Sequence, residues 1–319
     1  MSLSYRLNSG KNRKFSYYVK SFLMHLVPRC ICNLIAPIRL RRLTEGQDLH
    51  YLDDRVNYYC KLDGTVKLPS NVGNLSSMKP CHPAVYYHDF YRTQRFFSGK
   101  SRCALLPGDI AYVPDYPMFV KSRPIDGDNR NSVVLKLNRL RHFIFVDDHI
   151  SFEDKIDKAI FRGGVKQPQR RLFMEKFFDH PLVDAGEATR RPSGNPKEWQ
   201  CKKMTLYNQL KYKFIMSIEG NDVASNLKWV MSSNSIAVMP KPTCETWFME
   251  GRLIPDYHYI EVKPDFSDLE ERLRYYIDHA DEAKQIIMHA NEYVQQFKDT
   301  RREDLLEMLV VKKYIDLTN

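Results

Sequence analysis

Apolar and polar positions divide the chain into three stretches. From Phe15 to Ile38, Phe15, Tyr17, Tyr18, Phe22, Leu23, Leu26, Ile31, Leu34, Ile35 and Ile38 are interleaved with cations. That is the pattern of a basic amphipathic segment. From Ala84 to about His149 the apolar runs are short: Val85-Tyr86-Tyr87, Ile110 to Val113, Met118-Phe119-Val120, Val133-Val134-Leu135 and Phe143 to Val146. Gly, Pro, Asp and Asn punctuate them, which predicts short strands and turns. The charged stretch from Ser151 to Lys158 marks a boundary, and the rhythm then changes. Ala159-Ile160-Phe161 predicts a strand, and Pro168 the first turn of a helix running to about Phe178. Lys213 to Ile218 predicts a second strand, followed by a turn and a helix from Val223 to about Met231. Ser235 to Met239 and Tyr257 to Val262 predict two more strands. Helices follow near Ser267 and from Asp281 to Phe297. Strand, loop and helix in this order argue for an α/β domain with a mainly parallel sheet. The expected division is a basic segment over 1–44, an N-terminal domain over 45–152 and a C-terminal domain over 153–319. The last helices can cross back.

Composition adds little until charge is placed along the chain. The chain has 319 residues, 43% of them hydrophobic, enough for two medium-sized domains. Cys30, Cys32, Cys60, Cys81, Cys103, Cys201 and Cys244 are odd in number and scattered, a poor disulfide framework. Buried thiols in the reducing cytoplasm are the expectation. The net charge is +10, and Arg6, Lys11, Arg13, Lys14, Lys20, Arg29, Arg39, Arg41 and Arg42 all precede the first acidic residue, Glu45. Such a segment can lie on an anionic leaflet, each cation near the surface contributing about 1 kcal/mol. Pro28, Arg29 and Pro37 interrupt the run well short of the roughly twenty residues a spanning helix needs. They also make a poor signal-peptide core. A basic helix packed on the domain, its charges solvated, fits the same residues, and both readings stand.

Two loops lie where the ligands of a parallel sheet bind, beyond the carboxyl ends of strands. One is Arg162-Gly163-Gly164-Val165-Lys166. The other runs from Gly220 to Asn226 and opens a helix that carries Lys228. Glycines let the backbone approach a phosphate, and the free N–H groups of a helix start favour anions. Plain turns use the same residues more often.

Several motifs stand in fixed order: F-R-G-G (161–164), P-L-V-D-A (181–185), Y-K-F (212–214) and E-G-N-D-V-A-S-N-L-K-W (219–229). S-S-N-S-I-A-V-M-P (232–240), E-T-W-F-M-E-G (245–251), H-Y-I-E-V (258–262) and D-L-E-E (268–271) follow. Together they resemble glycosyltransferase family ninety, and their wording is most similar to its bacterial lipopolysaccharide branch. The resemblance implies a GT-B-like α/β fold of two Rossmann-like domains, with the donor site in the C-terminal one. It implies an inverting transfer from a nucleotide sugar, expected to be a UDP-sugar, to a lipopolysaccharide core or related glycan. No cofactor or metal is obligatory in that chemistry. The donor contacts it implies are Arg162, Gly163, Gly164, Lys166, Gly220, Asp222, Ser225, Asn226 and Lys228. Asn226 stands where the glucosyltransferase branch has an Arg, so the leaving diphosphate's charge falls to Lys166, Lys228, Arg162 or Arg170. Upstream, Tyr112-Val113-Pro114-Asp115-Tyr116-Pro117 is similar to a D-Y-P segment that supplies the family's base. A carboxylate there, Asp115, would take the acceptor hydroxyl's proton as its oxygen attacks the anomeric carbon. From the residues alone Asp115 more readily starts a turn before Pro117.

Weaker signals point elsewhere. Asp126-Gly127-Asp128 matches a metal-binding D-x-D, but Asp-Gly is a strong turn signal and no acidic partner set accompanies it, so a turn is the expectation. Asp147-Asp148-His149 reads as a solvated strand end, because adjacent side chains of an extended chain point apart. His258 reads as a core histidine, and Glu245 as either a ribose ligand or a surface helix start. Tyr275, Tyr276 and Ile277 read as core. The place implied for the enzyme is the cytoplasm, peripheral at the inner face of the membrane. Two other classes are weighed: an inactive relative that binds glycan or nucleotide sugar, and a nucleic-acid-binding protein with a basic arm. The second lacks any helix-turn-helix, zinc-finger or RNA-recognition signature, so no nucleic acid is expected.

Overall fold

The computed structural model describes residues 11–189 and 194–319. Its longer helices are α1 (Lys14–His25), α2 (Arg29–Thr44), α3 (Leu49–Tyr59), α4 (Ala84–Gln94), α5 (Pro168–Phe177), α6 (Leu269–Asp278), α7 (Ala280–Gln295) and α8 (Thr300–Thr318). The strands are β1 (Met118–Val120), β2 (Ser122–Pro124), β3 (Ser132–Val134), β4 (Ile156–Gly163), β5 (Val183–Glu187), β6 (Tyr212–Met216), β7 (Ile236–Met239), β8 (Cys244–Thr246) and β9 (Ile260–Glu261). The chain divides into two compact units. A helical unit holds Arg13–Leu140, Thr243–Glu250 and Phe297–Asn319, and a sheet unit holds Arg141–Pro242 and Gly251–Gln296.

The sheet unit is built on five parallel strands in the order β5-β4-β6-β7-β9. The central strands are apolar on both faces, as a covered parallel sheet requires. Phe214, Ile215, Ile236 and Val238 are all buried. Phe161, Phe173, Phe266, Leu273 and Ile286 join strands, α5, α6 and α7 in one core. Pro168 opens α5 at the position where a missing N–H costs nothing. Strand β5 has no counterpart in the sequence reading, because Val-Asp-Ala-Gly-Glu carries too few β-formers to stand out. The helix expected over Val223–Met231 shrinks to the single turn Leu227–Val230.

The helical unit departs further from expectation. Val85-Tyr86-Tyr87, read as a strand, lies in α4. Its buried positions are Val85, Tyr86, Asp89, Phe90, Thr93 and Gln94, a helical period that three residues are too few to reveal. Ile110–Val113 forms no strand, Ile110 N–H donating instead to Ser122 Oγ; in the sheet unit Phe143–Val146 forms none either, and Val146 N–H donates to Ser232 Oγ. The strands found are β1 beside β3, parallel, and β2 beside β8, antiparallel. Asp48 and Asp299 cap α3 and α8 by accepting from backbone N–H groups two and three residues on. Helix α8 packs on α2, α3 and α4.

This unit encloses an unusual number of charges. Glu303 of α8 pairs with Arg55 at 2.8 Å and accepts from Lys136 Nζ and Trp247 Nε1 at 2.7 Å. Burial would raise its pKa, but Lys136 and Arg55 hold it below the usual carboxylate range. Arg123 pairs with Glu245 at 2.8 Å, tying β2 to β8, and donates to the carbonyls of Tyr58, Tyr59 and Ser132. Removing one member of such a pair costs about 3–5 kcal/mol, because the other charge stays buried and alone. Farther along α8, Glu307 accepts from Thr93 Oγ1 at 2.9 Å and from Arg139. Asp89 accepts from Tyr17 OH at 2.7 Å and Arg139 N at 2.9 Å. Two enclosed carboxyls thus face one guanidinium. Burial raises both, Glu307 to about 7 against the pull of Arg139.

A raised carboxyl has a definite sign. An unfolded Glu releases its proton near pH ~4.3, whereas folded Glu307 keeps it to about 7, so stability falls as pH rises across that window. Glu307→Gln is expected to flatten the dependence of urea-unfolding free energy on pH there. An unchanged slope would place the proton elsewhere.

Candidate functional site

The sheet order reverses beside β4. The chain crosses to β5 on one side of β4 and then to β6 on the other. At such a switch point the two following loops run apart and leave a crevice beyond the strand ends, where ligands of doubly wound sheets bind. Gly163 ends β4, the loop after it holds Gly164, Val165 and Lys166, and the loop after β6 holds Ser217 through Asn226. The two segments singled out in the sequence are therefore neighbours, because β4 and β6 pair directly.

Arg170, in the first turns of α5, joins them. Its guanidinium donates to Gly164 O at 3.2 Å from the first loop. It also donates to Ile218 O at 2.8 Å and Glu219 O at 2.9 Å from the second. Burial, with Arg141 adding repulsion, pushes its pKa down to about 10, so it remains charged at neutral pH. A Cβ at Gly220 would lie 3.1 Å from Arg170 Nη2, so a side chain there would press on the guanidinium. Gln167 Nε2 adds a second tie, donating to Asn221 Oδ1 at 2.7 Å.

The first loop is fixed from its other side as well. Arg162 binds Asp184 through Nη2–Oδ1 at 2.6 Å and donates to Asp184 O at 2.7 Å. Burial opposes ionisation of Asp184, but hydrogen bonds from Tyr212 and Arg162 hold its pKa below the usual range. Buried Glu187 accepts from Val165 N at 3.1 Å and Asn195 Nδ2 at 3.2 Å. Asp184 lies in P-L-V-D-A, whereas Glu187 and Asn195 carry no sequence signal of their own.

The remaining predicted residues divide by exposure. Lys166 is exposed on the first loop and Ser225 half-exposed on the second, whereas Asp222 and Lys228 are buried. Asn226 donates its amide to Met216 O at 2.9 Å, fastening the loop to the end of β6. It does not cap the turn that follows. Asp115 belongs to the helical unit and is exposed just before β1. Its loop is pinned on both sides: Asn131 Nδ2 donates to Pro114 O at 3.0 Å and Tyr314 OH to Pro117 O at 2.9 Å.

Several other motif residues hold the fold. Glu245 is neither on a helix nor at the surface: it lies in β8, bound to Arg123 and Tyr58. His258 accepts from Ile254 N at 2.9 Å, and burial with His289 nearby pushes its pKa down to about 4. It is a neutral core histidine, as expected. Asp148 is buried against Lys155 and accepts from Asn234 N, so it ends no solvated strand. Asp128 faces Arg130, beside Gly127 at φ +81°. Tyr276 is buried, whereas Tyr275 is exposed and donates to Glu282. Among the described residues, no three His, Cys, Asp or Glu side chains converge as metal ligands.

Comparison with known proteins agrees with the motifs. Residues 129–314 match Glycosyl transferase family 90. O-glucosyltransferase LpsA of Dichelobacter nodosus is 37% identical over 306 residues, 95% of this chain and 96% of that protein. Protein O-glucosyltransferase 3 of Homo sapiens is 26% identical over 171 residues, 52% of this chain and 33% of that protein. Protein O-glucosyltransferase 1 of Rattus norvegicus is 26% identical over 150 residues, 45% of this chain and 38% of that protein. An end-to-end relative and a family match over more than half the chain make this protein a member of glycosyltransferase family 90, and so a glycosyltransferase.

Proposed function

We propose that the protein is an inverting, GT-B-like transferase that moves a sugar from a UDP-sugar to a lipopolysaccharide core or related glycan on the cytoplasmic side of a membrane. The observation that carries this reading is the pair of glycine loops at the β4/β6 switch point, joined by Arg170. The diphosphate would lie against them, with exposed Lys166 supplying positive charge, Gly163, Gly164 and Gly220 permitting close approach, and Arg162 held by Asp184 shaping the first loop. Glucose is the first sugar to test, because the relatives' names specify glucosyl transfer. Asp115 would accept the proton of the acceptor hydroxyl, and its pinned loop suits a base that must hold position. Metal is not required in this scheme, since cations of the chain balance the leaving diphosphate.

A second reading has one observation in its favour. Asn226 donates its amide to the protein's own backbone and offers no charge to a diphosphate. A relative that binds donor without turning it over would show that feature too.

Thermal shift and turnover with a panel of nucleotide sugars, with and without chelator, separate the two. Stabilisation and slow hydrolysis with one UDP-sugar, unaffected by chelator, are expected. Stabilisation without turnover supports the binding relative, and no response at millimolar donor defeats both. Asp115→Asn should leave donor affinity nearly unchanged and lower turnover about a hundredfold or more; retained turnover removes Asp115 from the mechanism. Arg170→Ala should weaken donor binding about tenfold or more, since the loops lose their charged hydrogen bonds. Calorimetry giving wild-type affinity would assign the donor to another place.

A further inference from the structure

Helix α1 buries the wrong face for a helix of a self-contained unit. Phe15, Tyr18, Val19, Phe22, Leu23 and Leu26 recur at helical spacing, and all are exposed; Phe15 is 83% and Phe22 65% accessible. The face turned to the protein is polar or small: Ser21 is buried and Tyr17 donates to Asp89. Helix α2 repeats the arrangement. Ile31, Leu34, Ile35 and Ile38 are exposed, Leu34 at 77%, while Cys32 and Ala36 face inward onto Phe96 and Met308. Two successive helices thus each present an apolar stripe to the outside, which folded monomers rarely leave uncovered.

The charges around the stripe select what covers it. Lys11, Arg13, Lys14, Lys20, Arg41 and Arg42 are exposed, and no acidic residue occurs before Glu45. Met24 of α1 and Arg39 of α2 also line a pocket in which Arg39 and Arg92 pair with its one carboxylate, Asp304, while Arg95 donates to Met24 O. Apolar side chains flanked by cations match an interface of acyl chains and anionic headgroups. A second copy of the same surface would set cation against cation.

No single helix among the described residues is long and apolar enough to span a membrane; α1 and α2 reach that length and apolarity only together, and they are bent by 101° to one another. Both are also fastened to the helical unit along one side. Arg29 donates to Gln94 O at 3.0 Å and Phe97 O at 3.1 Å, and Arg39 pairs with Asp304 at 3.0 Å. We infer that the exposed faces of α1 and α2 form a docking surface for an anionic lipid bilayer, with their apolar stripes inserted at the headgroup boundary and their cations against lipid phosphates. This rests on the two helices alone and stands whatever donor the sheet unit takes.

Flotation of the full chain with phosphatidylglycerol-rich vesicles and with pure phosphatidylcholine vesicles tests it. The wild type is expected to float with the anionic vesicles, less with the neutral ones, and progressively less as salt is added. Phe22→Ser with Leu34→Ser should reduce flotation about tenfold or more while circular dichroism and nucleotide-sugar thermal shift stay as in the wild type. Arg13→Gln with Lys20→Gln should weaken anionic binding and leave the neutral control unchanged. Failure of the wild type to float, or equal flotation by the serine variant, overturns the inference. So does sedimentation showing a wild-type dimer that the serine variant converts to monomer without any vesicle binding.

Discussion

The parallel pairing of β4 with β6 is the constraint from which the site follows. Because the chain visits β5 before β6, these two strands are adjacent while the loops that leave them turn apart. Loops that diverge expose backbone on both sides of a crevice, and nothing in the sheet itself fixes their separation. Arg170 supplies that fixity. Its guanidinium bonds carbonyls of both loops, and its forked geometry can serve several acceptors without rearrangement. Gly220 is the complementary condition, since any side chain there would press on the guanidinium. The arginine looks like one cation among many in the sequence. Its importance comes from where two strands place it.

The parallel sheet was legible because its strands are buried on both faces and read as unbroken apolar runs. Lys213 to Ile218 and Ser235 to Met239 leave little room for another assignment. The helical unit was not, for two physical reasons. Short apolar runs such as Val85-Tyr86-Tyr87 fit either period, and only positions as far on as Phe90 and Thr93 show the helix. Its interior also encloses paired charges, and sequence rules assign charged residues to the surface. Arg55, Arg123, Glu245 and Glu303 are all buried, so the pattern that marks a core is inverted at those positions.

The same inversion explains what the motifs meant. Glu245, Trp247, Asn234 and His258 all lie in segments similar to the family, and each hydrogen-bonds the protein's own backbone or side chains. A buried hydrogen-bonding group has few acceptable substitutes, because a replacement leaves its partner unsatisfied. Recognition of the family therefore drew as much on groups that hold the fold as on groups in the candidate site. Of the residues marked in advance, the two loops come together around Arg170, while Lys228 lies fully enclosed. Spacing could place the loops but could not say which cations face solvent, because that depends on a helix being one turn long rather than three.

The N-terminal helices show the limit of periodicity in another form. A 3.6-residue repeat says that a helix has an apolar side, not which side the protein keeps. What decides it here is the opposite face. Cys32 and Ala36 are small enough to let α2 approach Phe96 and Met308 closely, and Tyr17, Arg29 and Arg39 reach polar partners beneath them. Specific polar anchors on one side and large exposed side chains on the other mean that the inner face secures the helix while the outer one stays available. A helix held only by its apolar stripe would have to release that stripe from its own core before binding anything else. These two are fastened independently of it, so their outer faces can meet another phase without any change in the unit that carries them.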